Sequence, residues 1–434
     1  MKHPVYQNFS PSAVPACLTI VYLVRGAILV PRTVLILSLN LTFLSALCAQ
    51  CALPRAPGPG VPDTAFDTFF TQNGPGWTGA DGTYSLLLPS GQNLWIWSDS
   101  YIGTVNPQTR LRSGFLFQAH NSLTIQDQAA NTLTTVGYPP KTSSFFAPAN
   151  SADWFWPGDG IVVQTSPGVY VIKVLLLEWT GVFQFLGNSA ATISYPGMKL
   201  QSIQPIALPD LTIEWGTRIF KTGPYYYLYG IKDPGTANKL PYVARFSRLS
   251  ALTDPTKWQY WNASSSAWVS GQANATPMAG VPAITNEYSV HQLNAATGPF
   301  YLLTGMDPAN PPYPGWKYVT TYYSCTPQGP WSTRTVVYTT PEAGAPGCSV
   351  GTLNTYNPKA HPEFPSSAGI LVSYNVNANN SKDLICANDY KPSFIRVPIP
   401  GLQLVSSGAA AASGSECDKW SRPPLHRPGR YLGV

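Results

Sequence analysis

The sequence predicts an all-β protein, a single five-bladed β-propeller over about residues 63–402. Three observations predict it. First, the 434-residue chain holds 43 Pro and 36 Gly, spread along its length, so helices of ten or more residues have little room between breakers. Second, charged residues are only 11 % and aromatics 12 %, well off ordinary globular usage and suited to a secreted β protein. Third, one hairpin pattern returns five times.

The leader comes first. Residues 33–49, TVLILSLNLTFLSALCA, form an apolar run beside Arg25 and Arg32, and ALCAQ offers small residues for cleavage. Residues 1–52 therefore read as a secretory signal or leader, with an uncleaved membrane anchor as the alternative. The run is slightly short for a comfortable span. Residues 53–62 read as a Pro/Gly linker.

The five hairpins follow. They are ADGTYSLLL-PSGQN-LWIWSDS, PGDGIVVQ-TSPG-VYVIKVLLLEW, EWGTRIF-KTGP-YYYLYGIKD, NEYSVHQL-NAATGP-FYLLTGMD and YNPKAHPEF-PSSA-GILVSYNVN. In each, a polar signature opens a short strand, a Gly/Pro turn follows, and a run of β-formers comes next. The spacing, roughly 55 to 78 residues, suits blades of four strands around a channel. HNSLTIQD, PYVARFSRL and WKYVTTYYSC are candidates for later strands. A two-sheet sandwich is the competing architecture.

In a propeller the first strand of each blade is innermost, so its start faces the channel mouth. The equivalent positions are Asp81, Asp159, Glu214, Glu287 and His361. Four are carboxylates in a chain with 20 acidic residues, which predicts an acidic ring. Within the first hairpin, pairing Leu88 with Leu94 sets Thr83 opposite Asp99 and leaves Asp81 one diagonal step away. Period-two alternation then puts Asp81 and Asp99 on one face. Two such carboxylates can divide labour. Burial and repulsion raise one, making an acid for the leaving oxygen, while the other stays ionised as nucleophile or base. Separations of about 5–5.5 Å serve retention and about 6.5–9.5 Å inversion. Glu214 is the third catalytic candidate. Asp159, Glu287, His361, Asn286 and Tyr356 are candidates for substrate binding. So are Trp77, Trp156 and Trp215, whose rings stack on sugar faces. A bland role competes at several positions: A-D-G and PGDG are turn sequences, and a lone His is often structural. His120, in QAHNS, is expected to be structural.

The stretches WTGADGTYS, LWIWSDSYIGTVNP and HNS, with YNPKAHPEF, GILVSYNVN and YKPSFIRV, resemble the secreted five-bladed propellers known as domains of unknown function (DUF5005 and DUF4185-like). A related group is a glycoside hydrolase family of endo-D-arabinanases. That resemblance implies an acidic pair on the first blade, here Asp81 and Asp99. More distant five-bladed furanosidases imply three acids on successive blades, here Asp81, Asp159 and Glu214. The expectation is a glycoside hydrolase acting on a furanose-containing polysaccharide such as D-arabinan. The alternatives are a lectin-like binding propeller and a surface adhesion module.

Other chemistry finds little support. Net charge is +6, but the basic residues are scattered, so nucleic acid is not expected as a partner. No GxSxG, HExxH or Walker motif occurs, and the Cys residues form no CxxC pair, so neither a metal nor a cofactor is expected beyond a structural ion in the central channel. Cys325 with Cys348 is the expected disulfide. Residues 403–434, with SSGAAAASGS and a basic, Pro-rich end, read as a disordered tail. A secreted or cell-surface monomer is the resulting picture.

Overall fold

A computed structural model describes residues 56–403 except 114–117, 140–142, 296–297 and 309–314. The leader, the first three residues of the linker and all but the first residue of the tail lie outside the described residues. Among the described residues no helix is long and apolar enough to cross a membrane.

The strands form five antiparallel blades in chain order. The second blade is Trp154–Ser166, Val169–Trp179, Phe185–Tyr195 and Leu200–Ile206. The third has five strands, from Glu214–Thr222 and Tyr225–Lys232 out to Ala267–Ser270. The fourth is Ser289–Ala295, Gly298–Met306, Tyr318–Ser324 and Thr335–Thr339. Two of the expected later strands appear in these blades, PYVARFSRL as Leu240–Phe246 and WKYVTTYYSC as Tyr318–Ser324. The first blade is split. Tyr84–Leu87, Asn93–Trp97, Ser122–Asp127 and Thr132–Thr135 form its main sheet, and Gly76–Ala80, Ser100–Gly103 and Gln118–Ala119 continue its hairpin as a second sheet.

The fifth blade shows what closes the ring. Leu353–His361, Ile370–Ala378 and Lys391–Val397 are followed at the edge by Val61–Pro62, a strand from before the first blade. The segment read as linker therefore ends in sheet. Gly58 and Gly60 donate to Pro398 O and Val337 O, at 2.9 and 2.7 Å. Asp63 caps the short helix Thr64–Phe69 and pairs with Arg396 at 2.7 Å. The two ends of the propeller are thus tied by strand pairing, backbone hydrogen bonds and an ion pair.

One residue or more from each first strand meets at the axis: Ser85, Asp159, Arg218, His291 and His361. Three of the first strands, in the second, third and fifth blades, are interrupted by register breaks. Register breaks fall between Trp215 and Arg218 and between Tyr356 and Lys359. In the second blade the break lies opposite Val174–Leu176, at Pro157–Gly160. Crowding at the axis explains the glycines there. A Cβ on Gly158 would lie 2.2 Å from Gly216 O, and Gly216 itself has φ +132°, a region that favours glycine. Between blades, apolar clusters fill the wedges; one joins Leu86, Leu94 and Ile96 of the first blade to Ile172, Val174 and Ile193 of the second.

The disulfide differs from the expected pair. Cys348 bonds Cys386, and Cys325 is in a separate disulfide. Cys348 sits between the fourth and fifth blades and Cys386 in the last loop of the fifth, so only blade assembly brings them together. The bond closes a loop with a separation of 38 residues. Chain entropy puts its contribution at ~3–4 kcal/mol. The double variant Cys348→Ala/Cys386→Ala should lose that much in urea unfolding; a loss under ~1 kcal/mol would count against the bond as a stabiliser.

Candidate active site

The first hairpin positions the site. Its loop is three residues, Pro89-Ser90-Gly91, because Leu88 N donates to Gln92 O at 2.8 Å and Gly91 takes φ +86°. This is a common three-residue hairpin turn with glycine in the left-handed position. Leu86, rather than Leu88, therefore pairs with Leu94. The register differs from the expected one by two residues. A shift of two keeps every side chain on its face, and it improves the alignment of the acids. Asp81 N donates to Asp99 O at 3.3 Å and Ser98 N to Asp81 O at 2.9 Å, so the two aspartates oppose each other directly. Gly82 and Thr83, with φ +83° and +43°, break the strand just after Asp81. The regular ladder ends there and both carboxylates face one cavity of about 550 Å³.

The two acids differ in surroundings. Asp81 Oδ2 accepts from Tyr356 Oη at 2.7 Å, and Tyr356 Oη in turn accepts from Asn377 Nδ2 at 3.0 Å. Asp81 Oδ1 is buried with no protein partner among the described residues. Burial first, and then the charge of Asp99, push the Asp81 carboxyl up to about 8. Asp99 instead gathers donors. Its Oδ1 accepts from Trp156 Nε1 and is bonded to His120 Nδ1, both at 3.0 Å, and Tyr390 Oη binds its main-chain oxygen at 3.0 Å. Two N–H donors on one oxygen suit an anion that must hold its place. One acid thus keeps its proton while its neighbour is held as an acceptor.

A family model described as "Domain of unknown function (DUF5005)" matches residues 63–413. The chain belongs to the DUF5005 family. No curated protein matches it. Among solved structures, a "putative hydrolase" from Bacteroides ovatus ATCC 8483 aligns with a TM-score of 0.62 and 20 % identity, over 77 % of this chain and 89 % of that one; it shares the fold. A GH43_1 enzyme from Xanthomonas citri complexed with xylose aligns at a TM-score of 0.43 and 11 % identity, covering 82 % and 96 %. An alpha-L-arabinofuranosidase from Lactobacillus brevis aligns at 0.40 and 12 %, covering 74 % and 90 %. Likenesses as weak as these two carry no functional weight.

In this DUF5005 chain the cavity also gathers Trp156, Asn286 and Tyr356. Glu214 does not line it. It stands behind Asn286, to which it is hydrogen-bonded, and burial, then Asp233, push it up to about 7. Asn286 Nδ2 bonds Asp233 at 2.7 Å, and Lys239, on the cavity wall, pairs with Asp233 at 2.7 Å.

The acidic ring does not form at one height, because the hairpin echoes do not align. Asp159 is in the channel below, paired with Arg218 at 2.7 Å and accepting from Ile219 N at 2.9 Å. Burial raises it and Arg218 opposes the rise. An internal pair of this kind does not reach a substrate in the cavity. Glu287 is paired with the buried Lys359. His361 binds Ser373 Oγ at 2.8 Å and Ser85 Oγ and lies against Trp95. Burial holds it well below its ordinary value. Its neighbour Glu363 is pushed up to about 7 by burial. As a seat for an axial ion the channel offers Asp159, His291 and His361, but Arg218 and Lys359 already supply its positive charge.

Two tryptophans are core residues. Trp77, 2 % exposed, packs on Trp97 and Phe70. Trp215, 0 % exposed, packs between Trp258 and Tyr260, with its indole N–H on Gln272. Neither can stack on a sugar. The cavity includes residues not expected from the sequence: Trp316, Lys239, Asn354 and Asn377. Asn377 ends an echoed hairpin, and its position after a period-two run is the signal that could have found it. His120, expected to be structural, holds Asp99. Trp316 and Lys239 carry no local signal, since each lies in a loop outside the echoed pattern.

Proposed function

We propose that the protein is a secreted glycoside hydrolase acting on a furanose-containing polysaccharide such as arabinan. A single observation carries the reading: two carboxylates oppose each other across one hairpin and face one cavity in unlike surroundings, Asp81 buried against Tyr356 and Asp99 bonded to Trp156 and His120. Asp81, neutral below about pH 8, gives its proton to the leaving glycosidic oxygen as the bond to the anomeric carbon breaks. Asp99 attacks that carbon, or takes a proton from the water that does. Trp156 and Trp316 flank the bound sugar and exclude water, and Asn286, Asn354 and Asn377 offer amides to its hydroxyls. Glu214 acts through Asn286 rather than at the reacting atoms. The disulfide suits an oxidising compartment and supports secretion.

The test is a hydrolysis panel of arabinan, arabinogalactan and fructan with the purified chain. Reducing ends should appear on at least one furanose polymer. Binding without turnover across the panel would leave the lectin-like alternative. Trp156→Phe keeps the ring but removes the N–H bound to Asp99. A hydrogen bond to a charged group contributes ~1.5–3 kcal/mol, so kcat should fall ~10–100-fold. An unchanged kcat would mean that Asp99 is not held by Trp156 in the reaction.

A further inference from the structure

The second blade differs from the others in length. Its first three strands hold 13, 11 and 11 residues, whereas the long strands of the third, fourth and fifth blades hold nine. The end of these strands near the cavity carries rings. Trp154 pairs with Trp179 and Trp179 with Phe185 across three adjacent strands. Trp156 meets Trp179 at 5.4 Å, and Trp179 meets Phe185 at 5.5 Å between centroids. At the tip, Phe183 lies 5.5 Å from Trp154 and 6.0 Å from Trp156.

The tip is unusual in two ways. Phe183 is 67 % exposed and Val182 80 %, a cost in water with no compensation inside the chain. Phe183 also has φ +59°, a region bulky residues rarely occupy. The hydrogen bonds Phe183 N to Thr180 O, 2.8 Å, and Thr180 N to Gln184 O, 3.0 Å, fix that turn. They hold the ring beside Trp154 and Trp156. Trp156 belongs to both places: it lines the cavity, binds Asp99 and touches Phe183.

We propose that this aromatic arm is a second binding surface, continuous with the cavity, that seats several residues of an extended neutral polysaccharide. The inference rests on the glycosidase reading for the polymer's class. Aromatic faces attract the C–H faces of sugars and leave their hydroxyls in water, as amphipathic rings do at wet interfaces. Charge argues for a neutral chain. Apart from Asp159, which is paired in the channel, residues 150–187 hold Asp153 and Glu178 but one basic residue, Lys173, whose ammonium is bonded to Thr192 farther along the blade. Uronate or phosphate polymers would meet acid near the tip and no cation. Trp316 of the fourth-blade side, 40 % exposed, lines the same cavity. A chain held by both sides crosses the acids and is cut internally.

Affinity electrophoresis through arabinan and arabinogalactan gels tests the arm, with Asp81→Asn as the parent so that nothing is digested. Adding Phe183→Ala, at an exposed tip, should weaken binding at least tenfold. In the active chain, Phe183→Ala should lower kcat/KM on arabinan ~10-fold more than on an aryl arabinofuranoside. Equal retardation with and without Phe183 overturns the arm, and so does the absence of retardation by both polymers. A dimer in sedimentation that Phe183→Ala dissolves, with polymer binding unaltered, also overturns it and makes the tip a self-association face. Binding lost in Phe183→Ala by a chain that hydrolyses nothing keeps the arm and removes the hydrolase.

Discussion

Asp81→Asn and Asp99→Asn each lower turnover on arabinan by ~10²–10⁴-fold, the usual contribution of a positioned acid or base, while circular dichroism stays that of the parent. Asn keeps the shape of Asp and can accept the Tyr356 hydrogen bond that Asp81 receives at 2.7 Å, but it has no proton to give. At position 99 it can accept from Trp156 and His120 but cannot act as nucleophile or base. The pH profile separates the two roles. Activity that depends on protonated Asp81 declines as pH rises through about 8. If Asp99→Asn keeps near-normal turnover while Glu214→Gln abolishes it, the hairpin pair is wrong and an acid on another blade does the chemistry.

Asp81→Asn also becomes more stable than the parent in alkali. The Asp81 carboxyl rises from an ordinary 3.8 to about 8 in the folded chain, through burial first and the Asp99 charge second. The folded state therefore binds this proton more tightly than the unfolded state does. The stability it contributes is full below about pH 4 and is lost as pH rises through about 8. Each tenfold gain in proton affinity is worth ~1.4 kcal/mol. Water in the open cavity reduces the total, so the loss is ~2–5 kcal/mol. Asn never ionises and escapes it. Urea unfolding of parent and variant should give a stability difference that opens between pH 4 and 8 and levels off above. Glu214 and Glu363, both raised to about 7, add losses of the same sign to both chains and cancel. A difference that stays flat across the range would show that Asp81 is not held neutral.

How far the site is legible in the sequence varies by residue. The common face of Asp81 and Asp99 holds despite a difference of two residues in register, because alternation depends only on parity. Trp77 and Trp215 are indistinguishable from Trp156 by composition and by nearness to acids. What separates Trp215 from Trp156 is a distant partner for each indole N–H. Trp215 finds Gln272 in the core, and Trp156 finds Asp99 at the cavity. Trp77 is set in the core by Phe70 and Trp97. Asp159 looks equivalent to Asp81 because both precede a glycine. A register break sets it deeper, beside Arg218 of the next blade.

The class of fold, the five hairpins and the pairing of two acids on one of them are written in the order of residues. They follow from forces between near neighbours: breakers that exclude helices, turn residues that reverse the chain, and side chains that alternate along a strand. Four other features needed the assembled ring. They are which acids share the cavity, which are neutralised in the channel, how Val61–Pro62 closes the propeller, and which cysteine meets Cys348. Each depends on groups from different parts of the chain meeting at the axis or at a seam. Burial and neighbouring charge, which set whether a carboxyl keeps its proton, exist only once the ring has closed.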